Sequence, residues 1–170
     1  MDWIDRLAAT QQEQADRQKF EAEDRVNRER ILSARIPDAW ADLVERVKND
    51  CVKLASAFPN DPKHQCAFKV GHVSHSFLLV GNAMPVRELF VELDRRGRYL
   101  RLAKFSYYDW ADKKPEGREL LEIRLETDNS LMFFGQNQSF RLAEEISEYL
   151  IGLVIGGPSI SASFRISAYS

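Results

Sequence analysis

Residues 65–81 read QCAFKVGHVSHSFLLVG. Apolar residues recur at every second position in Cys66, Phe68 and Val70, and again in Phe77 and Leu79. A period of two is the mark of strands that bury one face. Closing a hairpin at Val73-Ser74 sets His72 opposite His75, Val70 opposite Phe77 and Phe68 opposite Leu79. The apolar residues then share one side, so the pattern favours this register, although a four-residue loop pairing 70 with 75 keeps the same parity.

The same period continues to residue 135. Strands are predicted at 65–72, 75–81, 87–94, 98–108, 119–127 and 130–135. The stretch DRRG (94–97) ends in a glycine suited to the left-handed position of a hairpin loop. TDNS (127–130) reads as a two-residue Asp-Asn loop. That loop sets Leu125 against Met132 and Ile123 against Phe134, with Glu122, Arg124 and Glu126 on the opposite, watered face. A sheet apolar on one side and polar on the other is antiparallel, with helices on its apolar side.

Helices flank the strands. In IPDAWADLVERVKNDCVKLASAFP (36–59), Trp40, Leu43, Val44, Val47, Cys51, Leu54, Ala55 and Phe58 fall on one helical face. Pro37 and Asp38 suit its start, and Pro59 ends it. After the strands, Ser139 suits an N-cap, and Leu142, Ile146, Tyr149, Leu150, Leu153 and Val154 form an apolar stripe that stops at Gly156-Gly157-Pro158. Gly152 and Gly156 suggest close approach of this helix to the sheet.

The expected fold is α+β: an antiparallel sheet of six or seven strands packed on one face by two long helices, plus a charged N-terminal helix. Residues 1–35 form that helical extension, dense in nearly balanced charge and poor in apolar anchors. Residues 36–158 form a single α+β domain. Residues 159–170 alternate Ile160, Ala162, Phe164, Ile166 and Ala168 with polar positions, the pattern of an edge strand.

Composition narrows function. The formal net charge of −2 gives no overall pull toward nucleic acid or anionic membranes. The most apolar run, YLIGLVIGG (149–157), is far short of the ~20 residues that span a bilayer. The first residues lack the basic and apolar regions of a secretory signal. A cytoplasmic protein is the default expectation. Two cysteines make no disulfide framework; Cys51 on a helix face and Cys66 in a strand suit small apolar packing.

All three histidines lie between 64 and 75. His72 and His75 meet at the hairpin end, with β-carbons roughly 5 Å apart in the paired register. They are the candidate metal ligands. Cys66 lies roughly 20 Å along the strand from His72, and a structural zinc needs about four ligands. No cofactor is therefore called for. Phosphate loops, dinucleotide fingerprints, nucleophile elbows and zinc-protease motifs are absent. Glu88 with Glu92, and Glu122 with Glu126, read as solvated strand faces.

Residues 94–118 carry eight Lys/Arg against four Asp/Glu, interleaved with Tyr99, Phe105, Tyr107, Tyr108 and Trp110. This mixture suits an acidic protein partner better than nucleic acid. The expected function is a non-enzymatic interaction module, self-associating or binding a protein through the N-terminal helix or C-terminal strand. Arg95, Arg96, Arg98, Tyr99, Arg101, Phe164 and Ile166 are the candidate partner contacts. The alternative is a small-molecule carrier whose apolar cavity is lined by Phe77, Leu79, Ile123, Leu125, Met132 and Phe134.

Overall fold

The computed structural model describes residues 2–141 and 143–155. Those residues form two compact units, one ending at Arg35 and one beginning at Ile36. A single helix, α1 (Trp3–Ala57), supplies all of the first unit and the start of the second. The expected helix start at Pro37 is therefore corrected: Pro37 lies inside α1. Proline removes one backbone donor from the helical ladder. Good helix formers on both sides carry the helix across it. The helix does stop just before Pro59, at Ala57, since proline disfavours the helical conformation in the residue before it.

The second unit is built on an antiparallel sheet of seven strands in sequence order. They are β1 (Cys66–Val70), β2 (Ser76–Gly81), β3 (Val86–Leu93), β4 (Tyr99–Tyr107), β5 (Lys114–Leu125), β6 (Leu131–Phe134) and β7 (Ser139–Phe140). Val70 pairs with Phe77 and Phe68 with Leu79, the register expected for a hairpin closed at Val73-Ser74. Gly97 adopts φ +64° in the β3–β4 turn, the left-handed position expected of it. Asp94 holds that turn by accepting from the backbone N–H groups of Arg98 (2.6 Å) and Tyr99 (3.0 Å).

The inner face carries Phe77, Leu79, Leu89, Val91, Leu100 and Leu121, each 1% exposed or less. The stretch of α1 from Ile36 lies on it through Trp40, whose ring sits 5.7 Å from Phe77. Leu43 and Val47 are fully buried on the same helical face. A short helix, α2 (Ala143–Gly152), packs on this face too. The Tyr149 hydroxyl donates to Glu119 (2.5 Å), and the Ser147 hydroxyl donates to Asp50 of α1 (2.8 Å).

Four local expectations are corrected. The β5–β6 loop has three residues, not two: Glu126 and Ser130 close it through a backbone bond of 2.9 Å, and Asn129 takes φ +61°. Ile123 therefore pairs with Phe133 and Leu125 with Leu131, a one-residue slip that moves Met132 and Phe134 to the other face. Ser139 belongs to β7 rather than to a helix cap, because a Gly135–Gln138 turn returns the chain to β6. The last helix is consequently ten residues long. Residues 109–118, left between the strands expected at 98–108 and 119–127, are not wholly loop: a 3-10 turn at Trp110–Asp112 leads into β5 at Lys114. The glycine that admits close approach is Gly81 of β2, where a β-carbon would meet the Val154 carbonyl at 2.3 Å; Gly152 has open space around it. Gly156 and the 159–170 strand expectation lie outside the described residues.

The left-handed Asn129 yields a first prediction. Asn129→Gly leaves stability level or slightly higher, whereas Asn129→Ala lowers it by about 1 kcal/mol, since only small polar residues and glycine visit that region readily. Urea unfolding followed by fluorescence measures the difference.

Candidate protein interface on the open sheet face

Among the described residues both helices lie on the inner face, and neither covers the outer one. Register assigns it Leu78, Phe90, Ala103 and Leu120 in successive strands, with Glu92 opposite Arg101 and Tyr99 opposite Glu122. Leu120 is 55% exposed and Tyr99 38%. Arg124 lies 4.6 Å over the Phe134 ring and donates to Glu122. The outer face thus carries an apolar strip edged by alternating charge.

One end of this face holds a closed cation site filled by the chain itself. Lys113 stands 4.2 Å over the Trp110 ring and 4.8 Å over Phe105. Its ammonium group hydrogen-bonds the Glu88 carboxylate. The Tyr107 hydroxyl donates to the other Glu88 oxygen at 3.0 Å. Glu88 is only 6% exposed, which corrects its reading as part of a solvated face. Register explains the placement: Glu88 pairs with Phe105, and Val86 with Tyr107, so β3 and β4 deliver all three side chains to one spot. Burial first, then the Glu88 carboxylate, push the Tyr107 phenol above its usual range. Trp110 and Lys113 were visible in sequence as part of the basic, aromatic stretch; Glu88 carried no such signal.

The sequence-derived candidates fall in different places. Tyr99 and Arg101 lie on the outer face, and Arg95 and Arg96 are exposed in the adjoining β3–β4 turn. Arg98 is half-buried in the same turn. Phe164 and Ile166 lie outside the described residues. His72 and His75 are exposed in the β1–β2 loop, with His75 at φ 58°. His64 instead stacks on Phe58 with ring centroids 4.7 Å apart, and its Nδ1 lies 2.6 Å from Asp61. That contact holds the Asp61 carboxyl below the usual range. Among the described residues no three metal-type ligands come together.

Of the carrier residues, Phe77, Leu79, Ile123 and Leu125 share the inner face, while Met132 and Phe134 belong to the outer one. The gap between Ile36, Trp40, Leu43, Leu93, Leu100, Ile123 and Phe133 amounts to about 10 Å³. That is room for roughly one water. No helix among the described residues is long and apolar enough to cross a membrane.

Comparison with protein-family models, with curated proteins and with solved structures finds no match to this chain.

Proposed function

We propose that the chain is a non-enzymatic protein-interaction module that self-associates through its N-terminal helical unit. The observation that carries this reading is the exposure of large apolar side chains there. Trp3, Ile4, Leu7, Phe20 and Val26 are 49–72% exposed, and every residue from Asp2 to Asn27 is exposed. Helices in water owe most of their stability to packing of an apolar face rather than to propensity. A helix that keeps such residues in water gains by burying them against another surface.

Charge points to a second copy as that surface. Residues 1–16 carry four acidic side chains and one basic; residues 25–35 carry four basic and one acidic. Two copies laid antiparallel set the acidic end of one against the basic end of the other. Parallel copies would set like against like. Exposed ion pairs add little affinity, but they do choose the orientation. The outer sheet face, with Leu120 and Tyr99, is a further surface for a protein partner.

Light scattering on the full chain tests the proposal. The expected result is a two-chain mass that falls to one chain in the Trp3→Ser/Leu7→Ser/Phe20→Ser variant, and that weakens as salt rises through the Debye regime. A variant that associates as the parent does would overturn the role given to the helix.

A further inference from the structure

Cys51 on α1 and Cys66 at the start of β1 are 15 positions apart in sequence, and their sulfurs lie 3.1 Å from each other. Both are buried, at 4% and 6% exposure. Both belong to the unit that begins at Ile36. We propose that this pair is a redox modification site, at which a peroxide converts the two thiols to a disulfide that ties α1 to the first strand of the sheet.

The geometry is close to the product. A disulfide needs its sulfurs about 2.05 Å apart, so the pair has roughly 1 Å to close. The loop to be closed, Val52–Gln65, contains the 3-10 turn at Pro62–His64 and the Phe58–His64 stack, which order its second half. An apolar packing role alone does not ask two thiols to face each other at hydrogen-bond range.

The two sulfurs have different parts. The two sulfurs share one hydrogen bond that either can donate; with Cys66 as donor it favours the thiolate at Cys51 and holds the proton on Cys66, and burial adds to the latter. Cys51 is therefore the attacking sulfur. Its thiolate displaces hydroxide from the peroxide, leaving a sulfenic acid, and the hydroxide takes a proton to become water. Cys66 then attacks the Cys51 sulfur, loses its proton, and expels the second hydroxyl as water. Two thiols lose two electrons and two protons in total, and one peroxide becomes two waters. A dithiol reductant reverses the change by thiol–disulfide exchange.

The test is intact-mass spectrometry of the folded full-length chain, purified with reductant and then exposed to hydrogen peroxide. The expected product is lighter by about 2 Da and returns to the starting mass with a dithiol. It melts higher than the reduced chain by about 5–10 °C, as closing a loop of this size predicts for a domain of this length. Cys51→Ala removes the product. Because that variant also alters a buried position, the urea-unfolded parent chain serves as an independent control for the chemistry. If the unfolded chain closes the disulfide and the folded one does not, the proposal is wrong. Gain of oxygen mass at Cys51 without loss of hydrogen, or a disulfide between two chains, overturns it equally.

Discussion

Phe77→Ala is expected to lower folding stability by about 3–5 kcal/mol, the range for an aromatic removed from a packed core. Phe77 is fully buried at the centre of the inner face. It pairs with Val70 on one side and Val91 on the other. The Phe68 and Trp40 rings lie 5.2 and 5.7 Å away, so its loss opens a void under the helix. Those neighbours sit on three separate elements and cannot all collapse into the space. Against a total stability of about 5–15 kcal/mol, such a loss leaves the domain marginal. Phe20→Ala removes the same side chain from a position 72% exposed. At a concentration low enough to keep the chain monomeric, it should change the urea midpoint by no more than about 0.5 kcal/mol equivalent. Equilibrium urea unfolding of both variants separates the two roles: one phenylalanine holds the fold, the other serves the surface.

The second large effect is expected at Lys113. Lys113→Ala leaves the Glu88 carboxylate, 6% exposed in the parent chain, with the Tyr107 hydroxyl as its remaining side-chain partner. Removing one partner of a buried pair costs about 3–5 kcal/mol. The Lys113 side chain keeps 26% of its exposure, so the lower end, about 2–3 kcal/mol after screening, is the expected value. Glu88→Gln costs less, because the ammonium retains the Trp110 and Phe105 faces, worth about 1 kcal/mol together with access to water. The double variant Glu88→Met/Lys113→Met should recover most of the loss, since a packed apolar pair removes both desolvated charges. Thermal and urea denaturation of the three variants measure this ordering. Equal losses in both single variants would mean that the pair acts as one solvated contact rather than as a buried charge with its counter-ion.

The contrast between legible and illegible parts follows from what each pattern could decide. The β1–β2 register was readable because Phe68, Val70, Phe77 and Leu79 alternate cleanly, so only one parity buries them all. The β5–β6 register was not, because LMFF (131–134) is apolar at both parities and accepts either. There the loop decided, and Asp-Asn fits a two-residue turn as well as a three-residue one with asparagine left-handed. Pro37 reads as a boundary by local preference, yet helix formers on both sides outweigh one missing hydrogen bond. Ser139 has the chemistry of a cap but is claimed by pairing with Phe134. The site fared likewise. Lys113 and Trp110 stood out as part of a basic, aromatic run. Glu88 did not, because its burial is set by a lysine 25 positions away. The meeting of Cys51 with Cys66 likewise depends on how the helix crosses the strand, which no spacing rule specifies.

The central claim is self-association through the N-terminal helix. A native mass spectrum of the untagged full-length chain, taken beside its denatured mass, tests it most directly. The expected result is twice the single-chain mass under native conditions, returning to the single chain on denaturation. A single-chain mass that persists as concentration rises would contradict it.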